Sequence, residues 1–320
     1  MTNGIFFRAI FPIFLLVGLG ALSRRFGILR KGDERVLNAY VYYFALPALF
    51  IIDLSEITFT SLHLRFILAG IIPAVVAAML YGLGFLVMRF SRETFFLLVI
   101  STVFGSLAFF GIPYIMFAFP GRDTEYLAVL SAATISPVAV IMAVAVLEYY
   151  AAGRTGRAPG KGDVAVRILK NPLILSILAG SLLSATQITV PLPIATFLHM
   201  LGNTTATVAL FLLGVFLYGR TYRNVLKALK LSLLRAVLLP VIGLVTAHFF
   251  NLGAVERSTV VLMQSMPVAV SLIVLSERYD FEKETIASLV LVSSLGAAVF
   301  LNLWLFLLGR LTVAPLHFFT

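Results

Sequence analysis

The stretch from Leu62 to Met88 reads LHLRFILAGIIPAVVAAMLYGLGFLVM, and it decides the class of fold. After Arg65 it contains no charged residue, which is typical of a helix that crosses a lipid bilayer, because such a helix needs about 20 apolar residues. A strand of a membrane barrel would instead alternate apolar and polar residues over about ten positions. The stretch therefore predicts a membrane-spanning helix.

The composition of the whole chain extends this prediction to most of its 320 residues. Hydrophobic residues make up 61% and charged residues 12%, whereas soluble domains have about 45–50% and about 25%. The mean hydropathy of +1.05 agrees. The length accommodates about ten spans and little additional soluble structure. We therefore expect a multi-pass integral protein of the inner (cytoplasmic) cell membrane.

Apolar stretches of similar character recur along the chain and predict ten membrane-spanning helices. Their approximate limits are Ile5–Leu22, Val36–Ile52, Leu62–Met88, Thr94–Phe119, Tyr126–Tyr150, Pro172–Thr186, Pro193–Tyr218, Leu231–Phe250, Ser258–Ser276 and Thr285–Leu308. Most of the 24 Lys and Arg residues follow odd-numbered segments, and the others are Arg8, Arg65, Arg122, Arg257 and Arg310. The positive-inside rule then places the basic loops in the cytoplasm and both termini outside.

The net charge of +10 is explained by the Lys and Arg residues of the predicted cytoplasmic loops. The basic residues are spread over five short loops, so nucleic acid is not an expected partner. We expect no charged side chain deep within a span, since such a charge costs about 2.5–3.5 kcal/mol on insertion scales. Arg235 is accordingly counted with the cytoplasmic residues that follow the seventh segment, and Asp53 and Glu148 are placed at span ends.

The longest predicted loop divides the chain near its middle. Residues 151–170 include AAGRTGRAPGKGD, which is rich in Gly and basic residues but lacks the Gly-Lys-Ser/Thr of a phosphate-binding loop. Five predicted spans lie on each side, and because five is odd the second set enters the membrane in the opposite sense. We therefore predict two inverted five-helix repeats, residues 1–150 and 171–320, joined by a cytoplasmic loop of residues 151–170.

Helix-breaking residues occur in the fourth segment of each half, which are equivalent positions in such a repeat. Residues 104–114 read FGSLAFFGIPY and residues 263–271 read MQSMPVAVS. Backbone groups freed by Gly or Pro at membrane depth must be satisfied by protein, water or ligand, although a plain Pro kink is the alternative. We predict broken fourth and ninth helices that cross near the midplane at a substrate site. The candidate site residues are Gly105, Ser106, Gly111, Pro113, Tyr114, Gln264, Ser265, Pro267 and Ser271, with Gly105, Pro113 and Pro267 at the breaks.

A broken helix offers an anion the partial positive charge and the free N–H groups of its N-terminal end. The predicted substrate is therefore a small organic anion. Coupling to protons would use His199, His248, Tyr114 or the substrate itself, and coupling to sodium through carbonyl, Ser, Thr and Gln oxygens stays open.

Enzymatic and metal-dependent functions are not expected. The chain has no Cys, and His63, His199, His248 and His317 lack the spacing of metal ligands. The predicted spans contain neither the pair of Asp residues of an intramembrane aspartyl protease nor a Gly-x-Ser-Gly motif. We expect no cofactor and no metal.

Several motifs in the second half have a characteristic order. Lys170-Asn171-Pro172-Leu173 is followed by Gly180-Ser181-Leu182-Leu183-Ser184, Leu192-Pro193, Leu201-Gly202 and Ala209-Leu210-Phe211-Leu212-Leu213-Gly214. Supporting stretches are Phe44-Ala45-Leu46-Pro47-Ala48-Leu49, Gly111-Ile112-Pro113, Met266-Pro267 with Ala269, and Ser276-Glu277-Arg278-Tyr279. Over nearly its whole length the chain resembles the auxin efflux carrier family, within the bile acid/auxin transporter superfamily.

The resemblance implies ten helices, an elevator-like or rocking exchange of access, and a site where the fourth and ninth helices cross. It implies organic-anion substrates, namely auxins in plants and malonate or other carboxylates in bacteria. Relatives often carry Gly-Asn-Thr-Gly where this chain has Gly105-Ser106-Leu107-Ala108, and Asn where it has Ser271. A sodium-coupled symporter of the bile-acid type, a membrane-embedded ligand sensor and a homodimer stay open as alternatives.

Overall fold

A computed structural model of the chain describes residues 11–56, 61–88, 91–119, 121–155, 172–219 and 222–311. Within these residues the regular structure is helical, apart from an antiparallel bridge between Gly105 and Val268. The helices are α1 (Phe11–Arg25), α2 (Glu34–Ser55), α3 (Ser61–Met88), α4 (Arg92–Val103), α5 (Leu107–Ala118), α6 (Arg122–Thr155), α7 (Pro172–Thr186), α8 (Leu192–Leu217), α9 (Val225–Phe249), α10 (Ala254–Gln264), α11 (Ser271–Tyr279) and α12 (Lys283–Leu311).

Six of the described helices are long and apolar enough to cross a membrane, namely α2, α3, α6, α8, α9 and α12. Helices α5 and α7 are apolar but shorter. The prediction of an all-helical membrane protein is therefore confirmed. Each predicted segment overlaps a helix, the fourth overlapping both α4 and α5 and the ninth both α10 and α11. Ten spans in an inverted repeat remain a prediction.

Among the described residues, two predicted boundaries differ from the structure by five residues or more. Helix α6 continues to Thr155, five residues into the predicted loop, and α9 begins at Val225 instead of Leu231. Both extensions contain helix-forming Ala, Leu or Lys residues, which can continue a helix beyond its apolar part. The start of the first segment, the loop from residue 156 to 170, and Asn171 lie outside the described residues.

The chain divides into two compact units, and each takes segments from both halves of the sequence. The first unit comprises the described residues within Met1–Leu64, Ala108–Ala133 and Val166–Arg220. The second unit comprises those within Arg65–Leu107, Thr134–Ala165 and Thr221–Thr320.

Glycines allow close helix packing in the first unit. A Cβ atom on Gly214 of α8 would lie 1.8 Å from the carbonyl oxygen of Val17 on α1. Conversely, a Cβ atom on Gly20 of α1 would lie 2.0 Å from the carbonyl oxygen of Phe211 on α8. Small residues of this kind let helix backbones approach closely, which is how membrane helices gain packing energy.

Helix α9 is central to the second unit, where it packs against α4, α10 and α12. Its exposed side carries large apolar residues four positions apart, namely Val237, Val241, Val245 and Phe249. Its buried side is made mostly of small or polar residues, including Ala228, Ser232, Arg235, Ala236, Gly243 and Thr246. The polar side of this helix therefore faces protein, and the exposed side is suited to lipid.

Candidate functional site

Two non-helical segments pair with each other inside the second unit. We call residues 104–106, which follow α4, the first segment, and residues 265–270, which follow α10, the second segment. The N–H of Ser106 donates to the carbonyl oxygen of Pro267 at 2.8 Å, and the N–H of Ala269 donates to that of Phe104 at 3.0 Å. The two helix ends thus satisfy part of each other's backbone, which water could not do in a membrane.

The residue types explain why the helices end at these places. Pro267 has no N–H, so α10 cannot continue regularly through it. Gly105 lies opposite Val268 in the antiparallel bridge, where paired Cα atoms approach to about 4.5 Å. A Cβ atom on Gly105 would also lie 2.1 Å from Nη2 of Arg235, so this position accommodates no larger side chain unless the guanidinium moves.

Polar side chains near the paired segments are engaged within the second unit. Nε2 of Gln264 donates to the carbonyl oxygen of Gly70 at 2.6 Å, which ties the end of α10 to α3. The hydroxyl of Ser265 donates to the carbonyl oxygen of Val261, one turn earlier in its own helix. Oγ of Ser293, on α12, accepts from the N–H of Val268 at 3.1 Å. These bonds hold the end of α10 against α3 and the second segment against α12.

Arg235 corrects the expectation that no basic residue lies deep in a span. It lies in α9, about 15 Å from Val225 along the helix axis at about 1.5 Å per residue, and only 2% of its surface is exposed. Its Nε donates to the carbonyl oxygen of Met266 at 2.8 Å. The prediction was wrong because a count of loop charges cannot show that this residue lies on the buried face of its helix.

The charge of Arg235 has no counter-ion among the described residues. Its Nη1 atom is buried without a hydrogen-bond partner there, and none of the ion pairs of those residues includes it. An unpaired charge away from water costs several kcal/mol, so this arrangement favours an anion as the missing partner.

The predicted site residues fall into both units. Gly105, Ser106, Gln264, Ser265 and Pro267 come together at the paired segments of the second unit. Ser271 is also in the second unit, where it is exposed as the first residue of α11. The remaining three candidates, Gly111, Pro113 and Tyr114, are buried on α5 and belong to the first unit.

The hydroxyl of Tyr114 is fully enclosed and has no hydrogen-bond partner among the described residues. It is thus a polar group of the first unit that an additional ligand or water would satisfy.

A second polar cluster lies in the first unit, at the end of α2. Glu56 accepts a hydrogen bond from Arg122 at 2.9 Å and one from the hydroxyl of Tyr126, and its Oε1 lies 3.4 Å from Nε2 of His199. Asp53, one turn earlier, is a span-end residue as predicted but is only 3% exposed. His199 therefore has an acidic neighbour that the sequence pattern did not indicate.

Within the described residues, no group of three or more His, Asp or Glu side chains is arranged to hold a metal ion. The groups present at the paired segments are backbone N–H and carbonyl groups, the hydroxyls of Ser106, Ser265 and Ser293, the amide of Gln264 and the guanidinium of Arg235.

Comparison with known proteins identifies a family of membrane proteins. A family model described as a membrane transport protein matches residues 5–155 and 161–305. A protein of Methanocaldococcus jannaschii named as an uncharacterized transporter is 23% identical over 299 residues, which cover 91% of this chain and 95% of that protein. A Rhizobium meliloti protein named "Putative malonate transporter" is 27% identical over 304 residues, which cover 89% of this chain and 90% of that protein.

The family match covers nearly the whole chain, as the motif resemblance predicts, and the family consists of transporters, not enzymes. The chain is a multi-pass integral membrane protein and belongs to the membrane transport protein family, the auxin efflux carrier family.

Proposed function

We propose that this transporter is a secondary carrier of organic anions, such as carboxylates or auxin-like acids, that works by alternating access. The observation that carries the proposal is the backbone pairing of the first and second segments within one compact unit of an apolar protein. Interrupted helices of this kind are typical of transporter substrate sites, because their free backbone groups and helix ends bind ligands.

The polarity of the paired segments favours a negatively charged substrate. Helix α11, in the second unit, begins directly after the second segment, and the N-terminal end of a helix carries partial positive charge. The buried guanidinium of Arg235 adds a full positive charge to the same unit. The name of the Rhizobium relative, which specifies malonate, supports a carboxylate.

The arrangement of the chain is compatible with alternating access. In our proposal the helices form two inverted five-helix repeats, residues 1–150 and 171–320, joined by the cytoplasmic loop. The second unit carries both paired segments, and we propose that access to them alternates by an elevator-like or rocking exchange. The coupling ion, a proton or sodium, and a homodimeric state are further elements of the proposal.

Uptake by proteoliposomes tests the proposal. Labelled malonate, a longer aliphatic acid and an indole-type acid are each offered without a gradient, with a proton gradient, with a sodium gradient and with an imposed voltage. We expect saturable uptake of one acid, competed by the same unlabelled acid and absent from protein-free liposomes.

The gradient or voltage that the uptake requires identifies the ion to which transport is coupled. A requirement for sodium alone favours a symporter of the bile-acid type. Specific binding without uptake favours a ligand sensor and contradicts the carrier proposal. Absence of both binding and uptake for every acid contradicts the choice of organic anions.

A further inference from the structure

We infer that Arg235 binds the carboxylate of the transported anion at the paired segments. This inference rests on the proposed function and deepens it, because it names one ligand residue and makes negative charge a requirement for binding. It assigns to Arg235 a role that neither the sequence motifs nor the family match indicates.

The position of the guanidinium links it to both segments. Its Nε donates to the carbonyl oxygen of Met266 in the second segment at 2.8 Å. Its Nη2 occupies the space next to Gly105 in the first segment, where a Cβ atom would lie only 2.1 Å away. The absence of a side chain at Gly105 therefore allows the guanidinium to lie between the two non-helical segments.

The donors that remain on Arg235 suit a carboxylate. A guanidinium has five N–H donors in a planar fork, and two parallel hydrogen bonds to one carboxylate are its preferred charged interaction. The bond to Met266 uses the Nε donor, and buried Nη1 has no partner among the described residues. A substrate carboxylate would supply both the missing acceptor and the missing negative charge.

A purely structural role is the competing explanation, because the bond to Met266 also holds the second segment. If the role is structural, replacing Arg235 should lower the stability of the ligand-free protein. The protein that still folds should then prefer a charged ligand over its neutral analogue as strongly as before. A binding role predicts loss of that preference. Measurements of ligand discrimination therefore separate the two explanations, which a loss of activity alone would not do.

The experiment uses the full-length protein, purified in detergent, with malonate as the anionic probe and malonamide as its neutral analogue. Protection against thermal unfolding gives an apparent Kd for each probe, and uptake is measured in proteoliposomes. We expect malonate but not malonamide to protect the unmodified protein. Arg235→Gln, which keeps a hydrogen-bond donor but removes the charge, should raise the apparent Kd for malonate at least about tenfold.

Three further variants make the test specific. Arg235→Lys keeps the charge but loses the planar fork, so we expect an intermediate Kd. Gly105→Ala leaves Arg235 in the chain but displaces its guanidinium, so malonate should bind several-fold more weakly even if Arg235→Gln fails to fold. Arg257→Gln is the matched control, since Arg257 is a half-buried Arg of the same unit whose Nη2 donates to the carbonyl oxygen of Leu252. It should leave the discrimination unchanged.

The outcomes distinguish this inference from the proposed function. Uptake of malonate that is equal in folded wild type, Arg235→Gln and Gly105→Ala overturns the role of Arg235 but leaves the carrier function intact. If the wild-type protein neither binds nor transports any of the three acids, both fail. Chloride titrated in place of malonate controls for a small inorganic anion. Equal protection by chloride would overturn the assignment of this charge to a substrate carboxylate.

Discussion

The N–H of Ser106 donates a 2.8 Å hydrogen bond to the carbonyl oxygen of Pro267, and this bond joins the end of α4 to the end of α10. We predict that Pro267→Ala retains near-normal membrane expression but loses most transport. Alanine supplies the N–H that proline lacks, so α10 can extend and draw this carbonyl out of the pairing. Gel filtration measures how much folded protein is expressed. Uptake by proteoliposomes, divided by the amount of folded protein, measures transport.

Pro137→Ala is the matched control for that change. Pro137 lies inside the continuous helix α6 and outside the paired segments. This variant should transport normally. Near-normal transport by Pro267→Ala would contradict a substrate site at the paired segments.

The hydrogen bond between Gln264 and Gly70 predicts a loss of stability in Gln264→Leu. Nε2 of Gln264 lies 2.6 Å from the carbonyl oxygen of Gly70, and leucine would remove this buried hydrogen bond between α10 and α3. The free energy of unfolding should fall by about 1–3 kcal/mol. Thermal unfolding in detergent without ligand measures it, and an unchanged transition temperature would show that the bond contributes nothing.

The close approach of α1 and α8 predicts that Gly214→Ala folds poorly. The added methyl group would lie 1.8 Å from the carbonyl oxygen of Val17, and a helix backbone cannot move away as a side chain can. We expect destabilisation of about 1–3 kcal/mol or more, seen as reduced expression and a lower transition temperature. Gly18→Ala, on α1, is the control because no atom lies within 4 Å of the added group. Equal stability of the two variants would contradict this packing.

The ion pair between Glu282 and Lys227 predicts a pH dependence of stability. Nζ of Lys227, near the start of α9, lies 2.7 Å from Oε1 of Glu282, which directly precedes α12. Burial raises the pKa of Glu282, but the hydrogen bonds from Lys227 and Thr285 and the charge of Lys227 outweigh this and hold the pKa below its ordinary value of 4.5. The stabilisation is therefore present above pH 4.5 and is lost as the pH falls through the pKa in the folded protein.

Glu282→Gln tests this dependence. Near pH 7 it should lower the stability of the protein by about 0.2–1 kcal/mol, and the difference from wild type should shrink as the pH falls below 4.5. Glu284→Gln is the control, because its pair with Arg223 is longer, at 3.5 Å, and more exposed. A difference that is constant down to pH 3 would contradict the charge interaction.

The candidate site was only partly predictable from sequence. The motif FGSLAFFGIPY contains Gly105 and Ser106, which lie in the non-helical segment between α4 and α5, and Gly is a residue type that weakens a helix locally. The same motif groups them with Pro113 and Tyr114, which the structure assigns to the other compact unit. A motif shows only which residues are neighbours along the chain, whereas a compact unit consists of residues that contact each other in the folded protein.

Arg235 is the clearest example of what the pattern missed. A signal was present, since the buried side of α9 consists mainly of small and polar residues and its exposed side of Val and Phe. That periodicity would have placed Arg235 on the inward side. The count of basic residues treated it as a loop residue because it lies near the cytoplasmic end of its predicted apolar segment.

The amino-acid sequence alone determines those properties of the protein that depend only on residues close together along the chain. Bilayer-length apolar stretches, the asymmetry of basic loops, the family motifs and the positions of Gly and Pro depend on neighbouring residues and on the thickness of a membrane. Packing decided which distant residues meet. Gln264 bonds to Gly70 on a helix far away in sequence, and Arg235 reaches both Gly105 and Met266 because helix α9 turns its polar side inward. Burial and partnership are properties of several helices together, so no single stretch of sequence contains them.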